Sequence, residues 1–362
     1  MLLKKKIKLF YNTIIINFFL GVYGKIKIQK KIQKEIKVTT IYKIFNNNVK
    51  KYKYKLYQIN NGRVFTNYVE NLAVISKNIL IKDVSFQQIK GYLKQNKNEV
   101  LLNGTPKFKK KVNGRMLVLT QGASGHFNYA HWLFDIIPKI ILISQQYKID
   151  KKDFFYLSRL NKFQKETLKL ININIDTKKI IDSNKFRHVE AKKLLAVTHP
   201  NYFNKTIFFS HSNIPAWIIY SLKKIFQKKK IKKSNYKKIF IDRTDSKQDH
   251  CKLINNKEVV MFLRKKNFKI LRLSNLKFID QVSIFSNCKL IIAPHGAGLA
   301  NITFCRRNTK VVEIIPKYIK NYEYKRVSKI NKLNHQFIFL NEIKNNNNGD
   351  MYLDLDKIRK II

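Results

Sequence analysis

The chain has 362 residues, with 74 Lys and Arg against 22 Asp and Glu for a formal net charge of +52, and 44% of it is hydrophobic. That length fills two ordinary domains and that apolar share far exceeds a disordered basic tail, which excludes both a disulfide-stapled miniprotein and an unfolded polycation. The three cysteines, Cys251, Cys288 and Cys305, are odd in number and too widely spaced for a CxxC motif, which points to a reducing cytoplasm.

A charge of this size attracts any polyanion, so a nucleic-acid binder without chemistry is the first alternative to weigh. Of the basic residues 63 are Lys and 11 are Arg, spread along the chain among Ile and Asn instead of forming an Arg-rich stripe for bidentate contacts. Biased coding composition accounts for such a pattern, and no specific nucleic-acid partner is expected. Attraction to anionic lipid or phosphorylated ligands still follows.

In chain order, Lys4-Lys5-Lys6-Ile7-Lys8 leads into an apolar stretch from Leu9 to Tyr23. Its roughly 15 residues fall short of the ~20 that span a bilayer. Lys on both sides and no A-x-A-like site make it unlike a signal peptide. It reads as a packed element; its basic flanks with Phe10, Phe18 and Phe19 would also suit peripheral contact with an anionic membrane, such as the inner face. Residues up to about 110 carry only short apolar runs such as Leu72-Ala73-Val74-Ile75 and receive no assignment. Met116 to Thr120 reads as a strand, Gly122-Ala123-Ser124-Gly125 as a loop, and the following segment as a helix. Further strands are expected at 154–157, 179–181 and 194–197, and a helix from Pro215 to Gln227. The Lys run after it reads as a linker, giving domains 1–227 and 237–362 joined by 228–236.

From Lys237 the pattern sharpens. Strand 239–241, helix 255–266, strand 268–271, helix 278–287, strand 290–293, a short helix from Leu299 and strand 310–315 alternate, which demands a parallel sheet with right-handed crossovers. A closing helix is expected within 353–362.

Two groups of residues carry chemistry. Ligands bind beyond the carboxyl ends of strands in such sheets. There stand Pro294-His295-Gly296-Ala297-Gly298, whose small residues let backbone N–H groups approach an anion, Arg243 after strand 239–241, and Glu313 inside an apolar strand. Each has a bland reading: a tight turn, a surface arginine, a carboxylate satisfied by a lysine. Together they describe a nucleotide diphosphate, with Glu313 on the ribose and Arg243 on the phosphates. The pattern lacks the third glycine of GxGxxG and is not GxxxxGK[ST].

In the second group, Asn128, His131 and Asp135 form a polar stripe on the helix after the glycine loop, opposite Leu133, Ile136 and Ile137. His131 and Asp135 at i, i+4 suit an oriented general base, with a surface pair as the alternative. Trp132 reads as core or as an acceptor-side platform, His126 beside the loop is a substitute base, and Pro138 should kink or end the helix near Phe134. No metal-ligand spacing occurs.

The segments Asn128 to Lys139, Ile241-Asp242-Arg243, Asn255 with Glu258-Val259, Phe278 to Phe285, Pro294 to Asn301 and Val312-Glu313 together resemble glycosyltransferase family 61. The resemblance implies an α/β, GT-B-like fold of two Rossmann-type domains with parallel sheets facing a cleft. It implies inverting transfer from a nucleotide sugar, with no cofactor and no obligatory metal, to a glycan or lipid-linked glycan as in capsular polysaccharide biosynthesis. Carried over, Arg243, His295, Gly296, Ala297, Gly298 and Glu313 would hold the donor, and His131, Asp135, Asn128 and Trp132 would lie on the acceptor side.

Overall fold

The protein is described by a computed structural model covering residues 2–29, 34–45, 50–67, 71–90, 92–120, 128–173, 175–201, 211–228, 234–246, 250–343 and 349–362. It divides into two compact units, Met1–Asn161 with Asn172–Ser210, and Lys162–Ile171 with His211–Ile362.

Unit 1 begins with helix α1 (Leu2–Tyr23) and is built on one mixed sheet. Its principal strands are β1 (Ile36–Phe45), β2 (Lys50–Phe65), β3 (Asn71–Ser76), β4 (Lys109–Val118), β5 (Phe154–Leu157), β6 (Ile180–Asp182) and β7 (His188–Val197). In β2 the run Lys51-Tyr52-Lys53-Tyr54 alternates exposed lysine with buried tyrosine, the period of a strand with one wet face. The order is β3-β2-β7-β4-β5-β6, with β1 also on β2. β4, β5, β6 and β7 pair in parallel, whereas β1, β2, β3 and β7 meet antiparallel. The expectation of a parallel sheet in both domains is thus corrected for unit 1: the long Lys/Tyr ribbon needs only a short turn, so it pairs antiparallel. Ile59, Val64, Val74, Met116, Val189 and Leu194 share its core.

Between β4 and β5 runs helix α2, residues 129–144. Pro138 does not end it. A wider π turn over Trp132–Ile136 precedes the proline, and such a turn loosens the backbone ladder where Pro contributes no N–H.

Unit 2 takes helix α3 (Lys162–Leu170) from the middle of the chain, then α4 (Ala216–Gln227) and a five-stranded parallel sheet. Its elements are β8 (Lys238–Ile241), α5 (Asn256–Lys265), β9 (Lys269–Leu271), α6 (Phe278–Asn287), β10 (Leu290–Pro294), a 3₁₀ helix (Ala297–Phe304), β11 (Lys310–Pro316), α7 (Glu323–Asn331), β12 (Asn334–Leu340) and α8 (Leu355–Arg359). The order is β9-β8-β10-β11-β12, every pair parallel. Phe240, Ile292, Val312, Ile314 and Leu353 lie in its core.

The boundary expected at 227 moves to 210, because α4 packs into unit 2. Phe226 is fully buried, 4.8 Å from the Phe278 ring and 6.1 Å from Phe304, and Tyr220 Oη donates to Ile330 O at 2.9 Å. Of the supposed linker, residues 229–233 lie outside the described residues.

Candidate functional site

The strands of unit 2 lie in the spatial order 2-1-3-4-5 of their appearance, so the direction of growth reverses between β8 and β10. In doubly wound sheets the region beyond the carboxyl ends of the two strands at such a reversal is the usual ligand position. β8 runs out into Asp242 and Arg243, β10 into His295 and Gly296. Asp242 is 3% exposed and spent on structure: it accepts from Thr244 N at 3.1 Å, Asn256 Nδ2 at 3.1 Å and Arg272 Nε at 3.0 Å.

Arg243 is different. Its Nη2 donates to His250 Nδ1 at 3.2 Å, which requires the neutral His250 tautomer protonated on Nε2. Burial, then the Arg243 charge, pull the His250 pKa down. Among the described residues no carboxylate pairs with Arg243, and its buried Nη1 has no hydrogen-bond partner. Burial lowers its pKa from the ordinary value. The guanidinium lies so close to Gly296 that a Cβ there would overlap it; glycine at 296 is what lets the cation rest against backbone at the start of the 3₁₀ helix. Gly298 has another role, since its missing Cβ leaves room for Leu273 and Ile241.

Beside them, Glu313 on β11 is 1% exposed and held by two imidazoles. His295 Nδ1 is 2.5 Å from Oε1 and His335 Nε2 is 3.0 Å from Oε2, while His335 Nδ1 meets Ser328 Oγ at 2.7 Å. Burial opposes the charged carboxylate, but the two histidine contacts outweigh it and lower its pKa. Burial likewise pulls His295 down, and the Glu313 contact overrides it, so the His295 pKa is raised. The side chain of His295 keeps 13% exposure, and with Nδ1 engaged its Nε2 is the free edge.

In unit 1 a second cluster sits past the carboxyl ends of the parallel neighbours β4 and β7. Asn128 caps α2, its Oδ1 accepting from Ala130 N at 2.9 Å and His131 N at 3.1 Å. His131 Nδ1 is 2.6 Å from Asp135 Oδ2, with the His131 side chain 21% exposed and Asp135 at 0%. The surface-pair alternative is therefore excluded. Asp135 Oδ1 accepts from Asn201 Nδ2 at 2.7 Å, and His199 Nε2 stands 3.7 Å away. Asn201 N donates to His199 Nδ1 at 3.1 Å. Lys139, 1% exposed, donates to Leu119 O at 3.2 Å, and burial brings its pKa down to about 7 despite nearby Asp135.

The family model for Glycosyltransferase 61 matches residues 129–312, just over half of the chain, and takes in His131, Asp135, His199, Asn201, Arg243, His250 and His295. The chain belongs to glycosyltransferase family 61. No curated protein matches it. Membership makes it a glycosyltransferase and implies a nucleotide-sugar donor and a glycan acceptor; a basic polyanion binder without chemistry finds no support.

Against that assignment, the structure gathers Arg243, His295, Gly296 and Ala297 at the switch point of the transferase and unites His131 with Asp135. Trp132 is 0% exposed, which bears out its reading as core over that of an acceptor-side platform. One expectation changes: Glu313 faces imidazoles instead of a ribose. His126 lies outside the described residues. Nothing local in the sequence marks His199, Asn201 or His335, which reach their clusters from far along the chain, and His250, seven positions after Arg243, belongs to no motif. Among the described residues no group of three or more His, Cys, Asp or Glu side chains is arranged to hold a metal ion.

Proposed function

We propose that the protein transfers a sugar from a nucleotide-diphosphate donor to a glycan or lipid-linked glycan, with inversion and without an obligatory metal, in surface polysaccharide biosynthesis in the cytoplasm. A GT-B architecture, with unit 2 serving the donor and unit 1 the acceptor, belongs to the same reading. The observation that carries it is Arg243, a largely buried cation at the switch point whose Nη1 has no partner. A desolvated charge without a counter-ion costs several kcal/mol, and a diphosphate seated there relieves that cost. The first N–H groups of the 3₁₀ helix, which have no intrahelical acceptor, and His295 Nε2 complete an anion site.

In the reaction the acceptor O–H adds to the anomeric carbon as the bond from that carbon to the diphosphate oxygen breaks. The proton passes to His131 Nε2, with Asp135 holding the imidazole by Nδ1–H; the electron pair leaves on the diphosphate, where Arg243 and protonated His295 stabilise it. Preorganised donors of this kind contribute roughly 3 kcal/mol each. Glu313 acts through His295 and is a positioning residue.

The test is nucleotide release from a panel of UDP- and GDP-sugars with a glycan acceptor. One donor class is expected to turn over undiminished in EDTA. Arg243→Ala should raise the donor KM and cut kcat/KM roughly a hundredfold, and His131→Ala should cut kcat while donor affinity stays. Wild-type affinity and turnover in Arg243→Ala would disprove the donor site.

A further inference from the structure

Helix α1 is anchored only through its C-terminal turns, and up to Ile14 its described side chains are exposed on every side. Phe19, 6% exposed, packs edge-on to Phe108 with centroids 5.1 Å apart and stacks on Tyr23 at 5.7 Å. Tyr23 lies 4.9 Å from the His188 ring, and its Oη accepts from Lys109 N at 3.1 Å. The opposite side carries Ile7, Tyr11, Ile14, Phe18 and Val22, each more than half exposed. Their steps of four, three, four and four keep them within an arc of about 80°. Leu9 and Phe10, each 69% exposed, stand outside that arc, so the apolar surface of the helix is covered by unit 1 only near its C-terminal end and is bare elsewhere. The expectation of a plain packed element gives way.

We infer that this outer stripe is a docking surface for an anionic lipid bilayer, with α1 lying along the headgroup boundary. α1 contains no acidic residue, and Lys4, Lys6 and Lys8 are exposed beside the stripe. A second copy of the chain would bring the same +52 charge against it and be repelled. A nucleic acid would satisfy the lysines and leave the stripe in water. An anionic membrane satisfies both, with phosphates for the lysines and the acyl boundary for Phe18, Ile14 and Tyr11. No described helix is long and apolar enough to cross a membrane, and a stripe running the length of one side suits a helix in the plane. The inference stands independently of the sugar-transfer reading.

The experiment is co-sedimentation of the full chain with vesicles of phosphatidylcholine alone or mixed with phosphatidylglycerol, at about 0.15 M and about 0.5 M salt, the latter screening charge attraction within a few Å. Binding is expected to be at least tenfold tighter with phosphatidylglycerol at the lower salt and to persist at the higher. The charge-neutral double variant Ile14→Ser/Phe18→Ser should lose binding at least tenfold at the higher salt, with thermal stability and turnover of a soluble acceptor unchanged. Equal binding of variant and wild type at both salts would overturn the proposal, as would wild type that sediments with neither vesicle. So would a wild-type dimer that the double variant converts to a monomer, since a second copy would then cover the stripe.

Discussion

A carboxylate clamped between two imidazoles makes the donor site pH-sensitive in a definite direction. The folded pKa of His295 is raised above 6.5, so the stabilisation its charge gives is complete below 6.5 and lost as pH climbs through the raised value. The folded pKa of Glu313 is lowered from 4.5, so its share is present above 4.5 and lost as pH falls through the lowered value. Donor KM should accordingly rise on the alkaline side once His295 loses its proton. Glu313→Gln, which keeps the shape and removes the charge, should move that rise to lower pH and raise KM about tenfold near neutrality, one pKa unit being worth a factor of ten. An unmoved KM profile against pH would take Glu313 out of this role. At this scale the sequence exposed what is local: His131 and Asp135 one helical turn apart, Arg243 and His295 at strand ends. Asn201, 66 positions from the Asp135 it supports, and His335, 22 from Glu313, left no spacing to read because tertiary pairing alone brings them in.

Among the elements, the packing of α4 fixes where unit 2 begins. Phe226→Ala empties a fully buried aromatic position between Phe278 and Phe304 and should destabilise unit 2 by about 3–5 kcal/mol, measured by denaturant unfolding; a loss below about 1 kcal/mol would mean that α4 is not part of this core. Alternation of 3.6-period and strand patterns made β8 to β11 readable nearly to the residue, and α6 coincides with its expected span. Strand β2 falls in the stretch without an assignment although its Lys/Tyr alternation has a period of two, since lysine at every second residue lowers the apolar signal of the buried face. Helix α7 and strand β12, the latter an edge strand with alternating exposure, carried too little apolar contrast. The π turn in α2 had one visible cause, Pro138, which widens the helix instead of ending it.

Over the whole molecule, 74 basic residues against 22 acidic ones set up repulsion that opposes the compact state. Raising salt from about 0.05 to about 0.5 M shortens the Debye length severalfold, so Tm should climb by several degrees in a differential scanning measurement. A flat or falling Tm would show that the charges are already balanced within the fold. Composition revealed this excess and the two-domain size; it could not show that the first unit carries a mixed sheet, because that depends on which long-range partner each lysine-rich strand finds.

Helix α3 belongs to unit 2 yet is encoded ahead of the last strand of unit 1, and its Glu166 accepts a hydrogen bond from Phe278 N at 2.7 Å, 112 positions downstream. On a ribosome adding some ten residues each second, Leu168 and its neighbours emerge on the order of ten seconds before their partner exists. Nascent chains should therefore pass through a stage at which this short segment is a natural handle for a chaperone, released only when α6 has been synthesised.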